Sequence, residues 1–587
     1  MKMKYFKGLL ISALFVIICS TSYAQVNPSY SLYNNKMNQF LRYMNDMYVD
    51  TVDFNNLVEK GIIEMMETLD PHSSYIAKKD VQLTSEPLKG EFEGIGVTFQ
   101  LIKDTINIIE VIINGPSEKV GIMSGDKIVK VDTAVACGPT INNNWVRDHL
   151  RGKKGSVVKV WIKRGKSDKL LEFSITRDKI PMYSINVSFM VDDKTGYIRL
   201  ERFAQTSPEE FSDALNKLKA QGMEDLIFDL RGNGGGYLNV AFRIADEFIK
   251  GDRIIVYTDN FRKTGERYMS HSGNDFEKGK LIVLVDEYSA SASEIVSGAI
   301  QDWDRGIIMG RRTFGKGLVQ KPIYLNDGSE IRLTISHYYT PTGRCIQKPY
   351  TDNDSYSKDL ANRYKHGEYL TPDSISFPDS LKFTTPRGKT VYGGGGIMPD
   401  IFIPYDTSKY STFYNELVRK AIISGYTMDY MSSHRDELKA KYPTIQDFRA
   451  NFTIDNSMYQ DLLSYAKNEG ITDTTSFSFS QRMELFVENK KEALDSLYHS
   501  LSDLQKMEKL DTMIQNFITE SYNESVKLKN IDKAPEYIKE YLTFEIARNL
   551  YSYGDAYQII LMNDETFQQA CKTMHDSKMF KRLKISD

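Results

Sequence analysis

The first pattern along the chain is helical. Met37, Phe40, Leu41 and Met44 recur at the spacing of one helix face, and Leu57, Ile62 and Met65 continue it on a second stretch, so residues 26 to about 85 are predicted to be helical. Stripes of this kind cover a core or a dimer face. Asp70-Pro71-His72-Ser73-Ser74 breaks the pattern. From about 86 to 182 the texture changes to short apolar runs, among them Ile106-Asn107-Ile108-Ile109 and Val157-Val158-Lys159-Val160-Trp161, parted by Gly and Pro turns. This texture predicts a small β-rich domain.

Between about 183 and 405 strands alternate with helices. Gly196-Tyr197-Ile198-Arg199-Leu200 and Asp225-Leu226-Ile227-Phe228-Asp229-Leu230 read as strands. The helix between them is signalled by Ser207 as N-cap, Pro208 in the first position and Glu210 three residues past the cap. A strand at Leu281–Val285, a helix over 291–301 and a strand at Ile307–Gly310 continue the order, which predicts an α/β domain, the largest unit. Beyond about 406 Gly becomes scarce, Tyr, Lys, Glu and Met dominate, and Leu494, Leu497, Leu501 and Leu504 keep a short heptad-like register. This tail is predicted to be a helical, core-packed bundle without internal repeats.

Composition narrows the function. A chain of 587 residues with 41% hydrophobic and 26% charged positions is neither wholly disordered nor a multi-spanning membrane protein. A net charge of -3 leaves no basic excess for nucleic acid or an anionic membrane surface. At the N-terminus Lys2, Lys4 and Lys7 precede an uncharged, mostly apolar run over 8–19, and Ser22 and Ala24 stand where a signal peptidase reads. The expectation is a signal peptide over 1–24, cut before Gln25, and a protein that is exported, periplasmic or associated with the cell envelope. An uncleaved anchor is the alternative. Cys19 suggests a lipoprotein, but Ile18 before it is too large for the usual lipidation site. Cys137, Cys345 and Cys571 would remain, an odd and scattered set that implies neither a disulfide scaffold nor a Cys-based metal site.

Three stretches carry candidate chemistry. Ser289-Ala290-Ser291-Ala292-Ser293-Glu294 follows a hydrophobic strand and opens a helix, where a serine hydroxyl sits at a sharp turn and the next N–H groups favour an oxyanion. Ser and Ala before a helix are also ordinary caps. A serine needs a base. The eight histidines, His72, His149, His271, His337, His366, His434, His499 and His575, are dispersed and lie in no His-centred motif. Lys316, flanked by Gly315 and Gly317 in an apolar setting, offers another route, because desolvation lowers a lysine pKa and frees the amine to accept a proton. The bland reading is a surface lysine in a Gly turn. Asp229-Leu230-Arg231-Gly232-Asn233-Gly234-Gly235-Gly236 brings backbone N–H groups above the sheet, for a phosphate or for half an oxyanion hole. This loop does not run into the Gly-Lys-Ser/Thr that a phosphate loop of the Walker kind needs, and the dinucleotide spacing is not matched, which leaves the oxyanion reading ahead.

With these stretches in view, the sequence resembles the C-terminal processing peptidases, or tail-specific proteases, over about 60–405. The motifs that carry the resemblance occur in order: Asp70-Pro71-His72-Ser73, Gly94-Ile95-Gly96-Val97, Gly115-Pro116 through Gly125-Asp126, Leu150-Arg151-Gly152, the glycine loop, the Ser289 stretch, and Phe314-Gly315-Lys316-Gly317. Tyr338-Tyr339-Thr340-Pro341-Thr342-Gly343-Arg344 and Gly395-Gly396-Ile397 with Pro399-Asp400 close the set. The resemblance implies an α/β fold: a ββα-spiral (ClpP/crotonase-like) protease core with an inserted PDZ domain and helical N- and C-terminal regions. The corresponding boundaries are 25–85 for the N-terminal helical region, 86–182 for the PDZ domain, 183–405 for the peptidase core and 406–587 for the C-terminal helical region.

The same resemblance assigns roles. Ser291 is the nucleophile, Lys316 the general base 25 positions later (316 − 291), and Gln320 orients the lysine amine. Ala292 N–H and the N–H of Gly235 or Gly236 form the oxyanion hole, with the choice of glycine open. His337 is a packing or surface residue. In the PDZ domain the amides of Gly94, Ile95, Gly96 and Val97 receive a free peptide carboxylate; a glycine-bearing strand turn is the plainer reading of that motif alone. No metal or organic cofactor is implied. The partners are protein or peptide substrates with a free C-terminus and not nucleic acid; an adaptor protein stays open, and apolar helices at both ends suit a homo-oligomer. The expected function is an exported serine endopeptidase that recognises tails. The rival is a noncatalytic PDZ-containing peptide-binding scaffold with an inactive protease core, which has no use for all three catalytic side chains.

Overall fold

The structure, a computed structural model, describes residues 28–165, 167–262, 265–350, 353–407, 411–471 and 534–585. The expected leader over 1–24 and the leucine register at 494–504 lie outside these residues. Helices α1 (Pro28–Met47) and α2 (Phe54–Glu67) come first, and Asp53 caps α2 by accepting the Asn56 N–H. Met37 and Phe40 on the α1 stripe are exposed. Asp70 then builds a competing local turn, taking the N–H groups of His72 and Ser73 and the Ser73 hydroxyl. A strand, β1 (Ser74–Ile76), intervenes before α3 (Lys78–Lys89), so the helical reading of 26–85 holds only in pieces. The partner of β1 lies some 250 residues on, around Ile331, and local periodicity carries no trace of such a pairing.

The next unit is a strongly alternating antiparallel sheet. Strand β2 (Glu91–Gly94) leads into β3 (Val97–Ile102), β4 (Thr105–Val111) and β5 (Lys127–Val131), with β6 (Val157–Lys163) and β7 (Leu170–Thr176) completing the order β3-β4-β5-β6-β7. Along β6, Val158, Val160 and Ile162 are buried while Val157 and Lys159 face out, the two-residue period of a half-buried strand. Helix α4 (Asn143–Leu150), capped by Asn142, adds Val146 and Leu150 to the same core. Strand β8 (Asp178–Pro181) pairs with β2 and closes the unit with a two-stranded ribbon.

The largest unit is built on β9 (Val187–Met190), β10 (Thr195–Arg199), β11 (Asp225–Asp229), β12 (Ile254–Asp259), β13 (Arg267–Met269), β14 (Leu281–Val285), β15 (Ile307–Gly310), β16 (Leu318–Tyr324), β17 (Glu330–Tyr339) and β18 (Ile401–Phe402). A six-stranded sheet has the order β9-β10-β11-β14-β15-β18, parallel from β10 onward. A second, antiparallel sheet runs β1-β17-β12-β13, with β16 also paired to β17. Helices α5 (Ser207–Lys219), α6 (Leu238–Asp246) and α7 (Ala292–Asp302) cover one face of the parallel sheet through Phe211, Leu215, Ile244 and Val296. The expected capping box on α5 does not form. Thr206 is the cap residue, the Ser207 hydroxyl donates to Ser184 Oγ, and Glu210 accepts the N–H groups of Ser184 and Ile185, so tertiary donors outcompete the local box.

The described residues of the tail are helical as predicted but do not form one separate bundle. Helices α8 (Thr412–Arg419), α9 (Ile422–Lys441), α10 (Ile445–Asn451), α11 (Asn456–Asn468) and α12 (Ala534–Leu550) share a core of Leu417, Ile423, Phe448, Leu462 and Ile538. The last three, α13 (Tyr553–Met562), α14 (Glu565–Met574) and α15 (Ser577–Arg582), instead form the outer layer of the parallel sheet. Leu561, Phe567, Met574 and Phe580 pack there against Tyr197, Ile227, Ile282 and Leu284. The tail also touches the β3–β7 unit: Lys103 pairs with Glu469 at 2.7 Å, and Arg435 reaches Ser124 at 3.4 Å. Among the described residues no helix is long and apolar enough to cross a membrane.

Candidate active site

Strand β14 is buried at every position and delivers the chain to a tight turn. Ser289 fixes the turn by donating to Leu230 O. Ser291 follows with φ 56 and ψ −111, a left-handed conformation that costs a non-glycine residue on the order of 1–3 kcal/mol. Helix α7 starts at the next residue, so the Ala292 N–H is a first-turn donor without an intrahelical acceptor. Tyr338 OH donates to Ser291 O at 3.1 Å and steadies the turn from β17.

A single buried carboxylate ties this turn to the lysine segment. Glu294 is fully buried. Its Oε2 accepts the Ser291 N–H and the Lys316 N–H, each at 2.8 Å. Its Oε1 accepts the Gly315 N–H at 2.7 Å and the Thr313 hydroxyl at 2.5 Å. Burial pushes the Glu294 pKa up, and the four donors work against that shift by favouring the charged form.

The glycine loop is held just as firmly. The Asn233 side chain takes the Gly235 N–H at 2.9 Å and donates to Leu200 O, while its backbone carbonyl accepts the Ala290 N–H and the Ser293 hydroxyl. At Gly235, with φ +103, a Cβ would stand 2.8 Å from Ser291 Cβ; at Gly236 it would stand 2.2 Å from Phe203 O. Only glycine fits at either position. Among the described residues no acceptor is recorded for the N–H of Gly236 or of Ala292, and both residues border the same cleft.

Lys316 Nζ donates to Gln320 Oε1 at 2.9 Å, and Gln320 Nε2 donates to His72 O at 2.5 Å. The His72 ring in turn meets Tyr356 OH at 2.6 Å. Burial holds the Lys316 pKa below its usual value, against the charges of Asp70 and Glu294. Burial and then the Lys316 charge press His72 down to about 4. Ser291, Ala292, Gly235, Gly236, Lys316 and Gln320 therefore line one cleft of about 390 Å³, whose walls include Leu88, Tyr237, Ile295 and Leu318. No hydrogen bond joins Ser291 Oγ to Lys316 Nζ in this state; the amine is turned to Gln320.

A second groove, of about 240 Å³, lies between β3 and α4. Ile95, Gly96 and Val97 line it with Phe92, Phe99, Val146 and Leu150, a largely apolar wall. Gly94 does not belong to this lining, because it ends β2 and pairs with Asp178 in the ribbon. Arg151, also on the groove, stacks over the Phe92 ring at 4.4 Å and forms an ion pair with the buried Glu86 of α3. Three α3 residues, Ser85, Leu88 and Lys89, line the first cleft. His337 sits on β17 with its Nδ1 3.9 Å from Cys345 Sγ and does not line the cleft that holds the serine and lysine.

The sequence pattern alone assigns no role to Glu294, Asn233 or the Asp70 turn. Glu294 stands three residues after Ser291, at the capping-box position, and that spacing was the available signal. The link from Gln320 to His72 spans 248 positions and leaves no local signal.

The profile of peptidase family S41 matches residues 194–357, that of a PDZ domain residues 94–175, and that of a family of unknown function (DUF8443) residues 413–485. The carboxy-terminal-processing protease of Bartonella bacilliformis is 34% identical over 304 residues, 51% of this chain and 69% of the relative. The carboxy-terminal processing protease CtpB of Bacillus subtilis is 33% identical over 318 residues, 54% of this chain and 65% of the relative. A solved photosystem II D1 C-terminal processing protease aligns at 24% identity with a TM-score of 0.33, over 64% of this chain and 88% of that one. The chain belongs to the carboxy-terminal processing proteases of peptidase family S41, a family of serine peptidases, and carries their PDZ domain.

Proposed function

We propose that this chain is an exported endopeptidase that reads the free C-terminus of a protein through the groove beside α4 and cuts with a Ser291/Lys316 dyad. The observation that carries the reading is the Glu294 carboxylate, one oxygen of which holds the backbone N–H of both Ser291 and Lys316. Ser291 Oγ attacks the scissile carbonyl, Lys316 accepts its proton and returns it to the leaving amine, and water then releases the acyl group by the same route. Gly236 and Ala292 hold the oxyanion, because the Gly235 N–H is already engaged by Asn233. Closing the gap between Ser291 and Lys316 is the step that substrate binding completes, by turning the amine from Gln320. The parallel sheet, its flanking helices and the β16–β17 hairpin suit the ββα-spiral arrangement. Export rests on the leader pattern over 1–24, and pairing with a second copy rests on the exposed apolar stripe of α1.

The test is incubation of the purified protein, beside Ser291→Ala, with an unfolded protein ending in an apolar tail. Cleavage by the first and not by the second is expected; equal cleavage, or none by either, defeats the reading. Single-turnover rates should also rise with pH along one limb, because the base is the neutral amine and Lys316 loses its proton below the ordinary lysine value of about 10.4. Burial and the Lys316 charge press His72 down to about 4, well below that limb. A rate flat from about pH 6 to 10 contradicts a lysine base.

Tail recognition makes its own prediction. The N–H groups of Ile95 and Gly96 have no recorded acceptor among the described residues, and Arg147 and Arg151 border the same groove. Capping the peptide carboxylate as an amide should weaken binding by about 1.5–3 kcal/mol, the worth of a hydrogen bond to a charged group. Fluorescence anisotropy with the free and amidated peptide measures this, and equal affinities remove the carboxylate from recognition. The ion pair from Arg151 to α3 supports coupling between the groove and the cleft.

A further inference from the structure

We propose that Asp564, at the start of α14, is a positioning residue for the oxyanion loop and acts through Arg231; the inference rests on the oxyanion reading given above. Arg231 stands between β11 and the glycines, five residues before Gly236. Its guanidinium is gripped from two sides. Nε and Nη2 donate to the Asp229 carboxylate at 2.7 to 3.0 Å, and Nη1 donates to Asp564 Oδ1 at 2.7 Å. Asp229 is fully buried and also accepts Tyr197 OH at 2.7 Å. A planar guanidinium held by two carboxylates has one orientation, and its own backbone is fixed with it, because the Arg231 N–H donates to Asp229 Oδ1.

The grip from Asp564 comes from outside the peptidase core. Asp564 lies 333 positions beyond Arg231 and outside the residues matched by the S41 profile. It is itself firmly placed: Oδ1 caps α14 by accepting the Phe567 N–H at 2.8 Å. Phe567 is buried edge-on against the Tyr197 ring, with centroids 5.4 Å apart. Helix α14 thus rests on the same tyrosine whose hydroxyl holds Asp229. On the other side of the loop, the Gly232 N–H binds Asp286 and Asn233 binds the nucleophile turn. The loop is suspended between the nucleophile turn and the C-terminal helices. Removing the outer support lets Gly236 drift relative to Ala292, and an oxyanion donor works only at its proper position.

Asp564→Ser and Asp564→Asn separate positioning from mere packing, because both residues cap a helix as well as Asp does. Ser is too short to reach Arg231, and Asn reaches it without charge. In the full chain we expect kcat to fall about 10-fold or more with KM within about twofold, since the loss is confined to the transition state. The pH midpoint of the single-turnover rate should not move, because the Lys316 amine is held by Gln320, and Gln320 by His72 O, rather than by the Arg231 pair, and the thermal midpoint should stay close to that of the parent. Arg231→Gln combined with Asp564→Ser should cost no more than Arg231→Gln alone. An unchanged kcat in folded Asp564→Ser overturns the proposal, as does a loss shared equally by kcat and KM or additive losses in the double variant. If Asp564→Ser fails to fold, Asp564→Asn judged by the same criteria decides. Ser291→Ala in the same assay guards the reading beneath: residual turnover there refutes the serine mechanism, whereas a silent Asp564 refutes only this inference.

Discussion

Ser291→Ala and Lys316→Ala are each expected to lower turnover of a tail-bearing substrate by about 10³-fold or more, and the double variant should be scarcely worse than either alone. In the proposed mechanism both side chains serve one proton transfer, so removing the second partner takes away nothing that still works. Both border an open cleft, and the ties that hold their segments run through backbone N–H groups to Glu294, which the substitutions leave in place. The variants should therefore keep the parent's unfolding midpoint. Turnover and thermal unfolding on the same preparations check both halves of this expectation. A Lys316→Ala variant near parental activity would place the base elsewhere.

Glu294→Ala should be damaging in a different way. Four donors converge on that buried carboxylate, and removing it leaves the N–H groups of Ser291, Gly315 and Lys316 and the Thr313 hydroxyl without an acceptor away from water. Each stranded donor costs about 1–3 kcal/mol, so a loss of about 3 kcal/mol or more in unfolding free energy is expected, together with loss of turnover. Denaturant unfolding read beside activity distinguishes this variant from Ser291→Ala, which should lose activity alone. If Glu294→Ala is as stable as the parent, the carboxylate does not brace the two segments.

Much of this architecture is legible in the order of residues, and what escapes has identifiable causes. The serine, the lysine, Gln320 and both glycines converge on one cleft because each sits in a short motif with its own local constraint. The β-rich unit is legible from strict alternation, as along Val157–Lys163. The outer helical layer is harder. Leu281–Val285 is apolar at every position, which is what a strand covered on both faces requires, yet nothing nearby tells that the second cover arrives from α13 to α15, almost 300 residues later. The misplaced cap on α5 and the loss of Gly94 to the ribbon share one origin: a side chain or a strand end chose a distant partner over the local one. The Asp70 turn was visible as a break, but its service to Gln320 was not.

The turn at Ser291 bears on what kind of pressure shaped this chain. A residue with a side chain sits there in a backbone conformation that glycine adopts freely, so glycine at this position would relieve the backbone strain and would lose only a hydroxymethyl group. A protein whose whole task was to hold peptide ends would find that exchange profitable. The chain instead carries local strain at Ser291, which lines the same cleft as Gly236, Ala292 and a lysine whose pKa burial lowers. If Ser291 is the proposed nucleophile, activity and robustness pull against each other there, and the residue found is the one that favours activity.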